Sequence, residues 1–445
     1  MTEREFAVDV VNRLRGAGYE ALWAGGCVRD ELLGLVPDDY DIATNARPEE
    51  VMKLFRRTVA VGASFGVVQV LGPASEQGRL TVEVATFRSD AGYSDGRHPD
   101  AVIFSSAQED ALRRDFTING MFFDPIDNRL IDYVGGREDL GNKILRAIGD
   151  PAVRFAEDKL RMLRAVRLAT RFALKIEGKT AEAIQAMAAQ ITVVSAERIA
   201  EELRKLLVHP QRARGVNLLH DLGLAAAIVP ELLPMKGLPQ GPPQAPTGDL
   251  WDHVMRVLEL AGPQVSFPLA FAALLHDVGK PRMVGRTPDR YTFYGHEHVG
   301  RRMSEDIAAR LKLSNVERER LSWLVEKHQF LCEARHMRLS KLKQTLVHPG
   351  IAELLALHRA DAMASGRSTD HVEYCEELLA RWTAADLDPA PLATGDDLVA
   401  LGLEPGPNFK RLLDAVREAQ LEGTIRTKAQ ALELIRRMLE EKEDT

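Results

Sequence analysis

The sequence predicts an α+β multidomain chain whose strands are confined to its first third and whose remainder is helical. Three observations carry this. Val- and Thr-rich runs bounded by Gly or Pro, the pattern of strands, fall within residues 1–145. Residues 151–225 show apolar residues at helical spacing only. Residues 230–246 then hold six prolines with interspersed glycines, the composition of a linker or extended loop. A chain of 445 residues is too long for one compact core. The boundaries read from these changes are 1–145, a helical region 146–229, the linker 230–248, a histidine-rich helical region 249–375 and a helical tail 376–445.

The elements follow in order. MTEREFAVDVVNRLRGAG is an amphipathic helix with Phe6, Val10 and Leu14 on one face. Leu22-Trp23-Ala24 is a strand that runs into Gly25-Gly26 and a helix over VRDELLG. DDYDIAT reads as a second strand, and Pro48 suits the first turn of a helix carrying Val51, Leu54 and Phe55. TVAVG, FGVVQVLG and LTVEVATF are three further strands. Ser106 and Glu109 form a capping-box signature for a helix through about Met121. RFAEDKLRMLRAVRLATRFA, residues 154–173, reads as a helix with Leu160, Leu163 and Val166 as its apolar stripe. After a Pro-containing break at 388–391, NFKRLLDAVREAQ and TKAQALELIRRM place basic residues on terminal helices.

Composition narrows the class. A 45% hydrophobic and 28% charged chain is a soluble globular protein, and no apolar run approaches the roughly 20 residues that span a bilayer. The N-terminus lacks a signal peptide's apolar centre and cleavage site. Cys27, Cys332 and Cys375 are far apart and fit neither a zinc pattern nor a disulfide framework, so a reducing cytoplasm is expected. The net charge of −7 argues against a basic nucleic-acid-binding domain but permits a local basic stripe.

Several groups of residues point to chemistry. Asp39 and Asp41 share a face if DDYDIAT is a strand. Paired carboxylates can share Mg²⁺, and two such ions can activate an attacking hydroxyl and stabilise departing pyrophosphate. The ordinary alternative is a solvated strand end. Gly25-Gly26 forms a turn where backbone can approach a phosphate, with Arg29 able to add a charged fork. In RRDFTIN, Arg113 or Arg114 can meet phosphates, while Asp115 and Asn119 lie one helical turn apart; a surface ion-pair cluster is the alternative. Glu83 is either a third carboxylate beside the metals or a salt-bridged structural residue, because burying it unpaired is costly. Arg161, Arg164, Arg167 and Arg171 share a helix face, with Glu157 and Asp158 one turn earlier, which alone describes a solvated helix with ion pairs.

The combination GGCVRDELLG…DDYDIATNA resembles the signature of the DNA polymerase beta nucleotidyltransferase superfamily. More narrowly, it resembles the bacterial and eukaryotic class II tRNA nucleotidyltransferases and their poly(A) polymerase relatives, over roughly residues 20–225. The resemblance implies a polymerase-beta-like catalytic sheet at 1–145, with Asp39, Asp41 and Glu83 catalytic and Asp39 and Asp41 holding Mg²⁺. It implies nucleotide contacts from Gly25, Gly26, Arg29, Arg113, Arg114, Asp115 and Asn119. EDKLR matches an E-D-x-x-R motif that serves the family as an amino-acid template: Asp158 accepts from a base amino group and Arg161 donates to ring nitrogens or carbonyls. CTP and ATP are thereby favoured over bases left with unpaired groups. Arg164 and Arg167 support the pair or contact phosphates, and Glu157 orients a neighbour. SAERIAEELRKLL matches the family's neck, with Ser195 as N-cap and Arg198 two turns ahead of Lys205; its role is chiefly structural, with indirect effects on specificity as the alternative. RSDAGYSDGRHPD, residues 88–100, covers the flexible loop that switches the enzyme from CTP to ATP, which favours complete CCA addition to the tRNA 3′ end. Enzymes adding only CC or only A, and poly(A) polymerases, keep similar motifs; the uncharged VGASFGVVQV leans toward tRNA.

The histidine-rich region carries a second pattern. His253, His276-Asp277 and Asp361 occur in the order H…HD…D, two imidazoles and two carboxylates suited to a transition metal such as Ni²⁺, Mn²⁺, Fe²⁺ or Co²⁺. This order resembles the HD phosphohydrolase superfamily, which implies phosphatase and 2′,3′-cyclic phosphodiesterase activity, or a retained fold with weakened activity. His296, His298 and His328 are candidates for a second metal or a substrate phosphate. A phosphohydrolase whose N-terminal half merely binds nucleotides is the competing class.

Overall fold

The protein is described here by a computed structural model covering residues 1–62, 66–75, 78–91, 101–241 and 248–443. Packing divides the chain into two compact units, Met1–Leu233 and Pro234–Thr445.

The first unit begins with α1 (Glu3–Gly16), capped by a Thr2–Glu5 capping box and burying Phe6, Val10 and Leu14 as its periodicity requires. The strands β1 (Ala21–Ala24), β2 (Asp41–Thr44), β3 (Thr58–Gly62), β4 (Val67–Ser75) and β5 (Gly78–Thr86) follow. Between them lie α2 (Gly26–Leu32) and α3 (Pro48–Leu54), the latter with Pro48 in its first turn. β6 (Arg88–Ala91) and β7 (Ala101–Phe104) pair with each other; residues 92–100, the greater part of the loop expected to be mobile, lie outside the described residues. After α4 (Ala107–Leu112), β8 (Phe122–Asp124) and β9 (Arg129–Ile131) complete one seven-stranded sheet of order β3-β4-β5-β2-β1-β8-β9. Its central pairing, β2 with β5, is parallel and sets Asp41 opposite Glu83. Leu22, Ala24, Ala43, Phe87, Ala107, Ala111 and Phe122 pack as a core on one side.

Three sequence expectations are corrected here. The strand DDYDIAT begins only at Asp41, so Asp39 precedes it. The helix after Ser106 has its expected capping box but stops at Leu112, not near Met121. The chain beyond it is drawn onto another segment: Thr117 N–H donates to the Arg146 carbonyl, Ile148 N–H donates to the Asp115 carbonyl, and Phe116 bridges Ala147. Finally, residues 154–173 are not one helix. α5 (Gly136–Gly141) and β10 (Ile144–Leu145) lead to α6 (Pro151–Glu157), which ends at Asp158 in extended backbone, φ −145°. α7 (Leu160–Arg171) starts anew, with Leu160 N–H donating to the Asp158 carboxylate at 3.0 Å.

A two-residue strand β11 (Lys175–Ile176) follows α7 and pairs with β10, and helices α8 (Gly178–Met187), α9 (Ala196–Leu207), α10 (Arg212–Asp221) and α11 (Leu224–Ile228) come after it. Ser195 caps α9 by position without a side-chain bond. The proline-rich stretch is partly structured: Pro230–Met235 is a 3₁₀ turn, and Pro239 bridges Asp249. Pro242, Pro243 and Pro246 lie outside the described residues.

The second unit is mainly helical. α12 (Leu250–Leu260), α13 (Phe267–Leu275), α14 (His296–Arg310), α15 (Asn315–Lys327), α16 (Leu339–Leu346), α17 (Ile351–Ala364) and α18 (Asp370–Arg381) form its histidine-rich part. α19 (Ala384–Leu387), α20 (Gly395–Ala400), α21 (Pro407–Glu422) and α22 (Lys428–Glu443) follow. Leu398, Leu412, Val416 and Ile435 give the last of these their own apolar core. No helix among the described residues is long and apolar enough to cross a membrane.

Candidate active site and metal centre

A cavity of about 440 Å³ in the first unit is lined by Gly25, Gly26, Arg29, Asp39, Asp41, Arg113, Arg114, Asp115, Asn119, Asp158, Arg161, Arg164, Arg167 and Leu168. Every residue read from the sequence as nucleotide-binding lies on it. So do Asp39 and Asp41. Six arginines against four aspartates leave an excess of positive charge, which suits a polyphosphate accompanied by cations.

The carboxylates sit at the mouth of β2. Tyr40 points the other way, buried against Trp23 with ring centroids 4.8 Å apart, so Asp39 and Asp41 face the cavity together. Burial raises the Asp41 carboxyl to about 7, with the charges of Asp39 and then Glu83 adding to the rise and Arg114 opposing it. Glu83 is exposed, so the expected cost of burying it does not arise. Asp39 and Asp41 offer cavity-facing oxygen donors of the kind a hard divalent cation takes, whereas Glu83, their neighbour across the β2–β5 pairing, does not line the cavity.

The arginines are held from beneath. Asp110, buried on α4, accepts from Arg113 Nε at 2.9 Å and from Arg114 Nη2 at 2.9 Å. Burial alone would raise the Asp110 carboxyl, but the two guanidiniums outweigh it and hold it below the usual range. Gly25 has φ +75°, and a Cβ there would come 2.9 Å from Arg114 Nη1. The positive φ is what calls for glycine at this turn, since the Arg114 end could shift aside. Arg29 is less available than its sequence context suggests. It donates to Asp30 at 2.8 Å and to Asn119 Oδ1 at 2.6 Å, and lies 4.3 Å over the Phe172 ring. Asn119 in turn donates to Asp115 at 3.1 Å, so their expected contact forms across a 3₁₀ turn, Thr117–Asn119, and not along an α-helix.

Asp158 and Arg161, the residues expected to read the base, are held by different partners. Asp158 does not pair with Arg161; its carboxylate accepts from Arg198 Nη2 at 2.7 Å, a residue of the neck helix α9. Arg161 is held by Glu157, which also accepts from Arg154 at 3.0 Å. Arg164 pairs with Asp115 at 2.8 Å and Arg167 with the buried Glu202 at 2.6 Å. Sequence reasoning missed Asp110, Arg198 and Glu202 as supports. The spacing of Asp110 to Arg113 and Arg114, three and four residues, was a usable signal; the contacts of α9 with α7 were not.

The second unit gathers His253 (α12), His276 and Asp277 (following α13) and Asp361 (α17). His253 Nε2 lies 3.3 Å from His276 Nε2 and 3.2 Å from Asp361 Oδ1, and His276 Nε2 lies 3.2 Å from Asp277 Oδ2. The other oxygen of Asp277 faces His296 Nε2 at 3.1 Å and His328 Nε2 at 3.5 Å. Those two nitrogens are 3.2 Å apart. His298 does not join: it is 68% exposed and lies beside Glu297 and Glu326.

Tautomers show what the cluster fits. His276, His296 and His328 each donate Nδ1–H to the backbone carbonyl three residues earlier, at 2.9, 2.8 and 2.7 Å. In its neutral form each therefore presents an Nε2 lone pair to carboxylates and to another imidazole nitrogen. Lone pairs facing lone pairs repel unless a cation lies among them, and carbonyl-anchored imidazoles are how metal ligands are oriented. The set fits one cation at His253, His276 and Asp277, with Asp361 beside His253, and a second at Asp277, His296 and His328. Burial opposes the Asp277 charge, but Lys280, 2.6 Å away, and His276 hold its carboxyl well below the usual range. Gly279 makes this crossing possible, since a Cβ there would come 2.2 Å from the His296 carbonyl.

Family models match three parts of the chain: the Poly A polymerase head domain over 21–146, the probable RNA and SrmB-binding site of polymerase A over 173–236, and the HD domain over 250–366. The CCA-adding enzyme of Streptococcus mutans is 33% identical, the match covering 97% of this chain and 96% of that one. The A-adding tRNA nucleotidyltransferase of Deinococcus radiodurans is 32% identical over 95% of this chain and 96% of its own. Two other CCA-adding enzymes, 42% and 40% identical, are matched over only 53% and 65% of their length. Among solved structures, the Bacillus stearothermophilus CCA-adding enzyme in complex with CTP superposes with a TM-score of 0.72 at 26% identity, covering 100% of both chains. The chain belongs to the family of CCA-adding tRNA nucleotidyltransferases and poly(A) polymerases.

Proposed function

We propose that the first unit adds CCA to the 3′ end of tRNA from CTP and ATP, without a nucleic-acid template. The observation that carries this reading is the meeting of Asp39 and Asp41 with Asp158 and Arg161 on one arginine-rich cavity. Asp39 and Asp41, with Glu83 beside them, would hold Mg²⁺, which when bound would supply charge to activate a 3′-hydroxyl and stabilise pyrophosphate. Arg113 and Arg114, fixed by Asp110, hold the triphosphate, while Asp115 and Asn119 orient the ribose. Asp158 accepts from the amino group shared by cytosine and adenine, and Arg161 donates to the neighbouring edge. Uracil and guanine leave one of these groups unpaired, which is a strong basis for rejection.

Addition of the terminal A alone is the second reading, favoured by the near-equal likeness to the A-adding relative. Transcripts lacking CCA, CA or A, each offered CTP, ATP or both with Mg²⁺, separate the readings. Completion of all three supports CCA addition; extension only of the last with ATP supports A addition; long A-tails on unrelated RNA support a poly(A) polymerase.

For the second unit we propose phosphomonoesterase and 2′,3′-cyclic phosphodiesterase activity with a transition metal such as Ni²⁺ or Mn²⁺, which would trim damaged tRNA ends before addition. Lys280 and Arg367, which donates to Asp361 at 2.8 Å, hold the carboxylates in place. The proposed setting is the cytoplasm, consistent with three free cysteines.

A further inference from the structure

A third group of ligating side chains lies apart from both sites: Cys332, His358 and His371, with the sulfur and one nitrogen of each ring within 4.8 Å of one another. Three elements bring them together. Cys332 lies in the turn after α15, His358 is on α17 one turn before Asp361, and His371 is in the first turn of α18. Nothing in the spacing points to this grouping, because intervals of 26 and 13 residues match no zinc motif.

The ring geometry is that of a prepared ligand. His358 is buried, and its Nε2–H donates to the Lys327 carbonyl at 3.0 Å. Its Nδ1 therefore carries the lone pair, and that lone pair faces His371 Nε2 at 3.3 Å. A carbonyl fixing the outer nitrogen of an imidazole is the usual support behind a metal ligand. All three side chains border a cavity of about 180 Å³ that also touches Asp361 and Arg367, so a fourth position is open to water.

We propose that Cys332, His358 and His371 form a separate N₂S cation site for a Zn²⁺-class ion. One thiolate and two imidazoles select a borderline-soft metal over Mg²⁺ or Ca²⁺. The alternative is a hydrogen bond between the two imidazoles beside an unliganded thiol.

Co²⁺ distinguishes these, because only a thiolate gives a sulfur-to-cobalt charge-transfer band and the His253–Asp361 centre contains no sulfur. The full chain, stripped with chelator and titrated with Co²⁺ to saturation, should develop this band at the intensity of about one cobalt–thiolate centre per chain. Zn²⁺ should then displace it. Cys332→Ser and His371→Ala should each abolish the band, while Cys375→Ser and His276→Ala should retain it. No band in the wild-type chain, a band that survives Cys332→Ser, or one that Cys375→Ser removes would overturn the proposal. Because His371 is only partly buried, its substitution checks the result if Cys332→Ser folds poorly.

Discussion

Asp41 on β2 lies directly opposite Glu83 on β5, across the parallel pairing of a sheet whose other pairings are antiparallel. The pairing crowds Glu83 against the Asp39–Asp41 pair, and burial with this crowding raises the Asp41 carboxyl to about 7. A carboxyl whose folded value exceeds its unfolded one favours the folded state when protonated. Its stabilisation is complete below the ordinary carboxyl range, near 4, and is lost as pH rises through about 7. In chelator, the wild-type unfolding temperature should fall over this window, and Asp41→Asn should flatten the fall. Mg²⁺ should raise the midpoint more at about pH 8 than at about pH 5. Parallel pH profiles for wild type and Asp41→Asn would count against this.

Asp110 anchors both Arg113 and Arg114, so Asp110→Ala should destabilise the protein by about 2 kcal/mol through lost charge-assisted hydrogen bonds. Misplaced guanidiniums should also cost roughly a hundredfold in kcat/KM for CTP and ATP alike. The Asp110 carboxyl is depressed, so the stability it contributes is present above the ordinary carboxyl range and lost as pH falls through its folded value. Asp110→Asn should blunt that acid sensitivity in melting experiments. Steady-state kinetics with both nucleotides check the first part.

Arg198 holds Asp158 from the neck helix, which predicts that it governs base choice indirectly. Asp158→Ala should reduce discrimination against UTP by about tenfold or more. Arg198→Ala should give a smaller loss in the same direction, and Arg198→Lys should restore part of it. Incorporation from nucleotide mixtures measures the ratio; an unchanged ratio in Arg198→Ala makes the contact purely structural.

Asp277 touches both halves of the imidazole cluster, so with Asp39 and Asp41 neutralised, Asp277→Asn should remove about two equivalents of bound Mn²⁺ and His328→Ala about one. Nucleotide addition by the His328→Ala chain with its aspartates intact should be unchanged. Equal Mn²⁺ loss in the two variants would argue for a single cation.

How far the sequence speaks depends on how local each cause is. The helix faces of α1 and α7, the capping box at Ser106 and the Pro48 turn follow from spacing, and all were legible. So were the individual residues lining the large cavity, because motifs mark residues even where the elements between them are misread. Where a helix ends was less legible. α4 stops at Leu112 because Thr117 and Ile148 bond across to a distant segment, and periodicity carries no trace of that. Partners from elsewhere in the chain were hidden for the same reason: Arg198 for Asp158, Glu202 for Arg167, and His358 and His371 for Cys332.

The most direct test is extension of a tRNA transcript lacking CCA by the full chain and by Asp41→Ala, with Mg²⁺, CTP and ATP, alongside hydrolysis of a 2′,3′-cyclic phosphate. If Asp41 is at the reacting centre, the wild-type chain completes CCA, while Asp41→Ala loses extension by about a thousandfold or more and keeps its hydrolysis. Normal extension by Asp41→Ala would contradict the assignment of nucleotide transfer to this cavity.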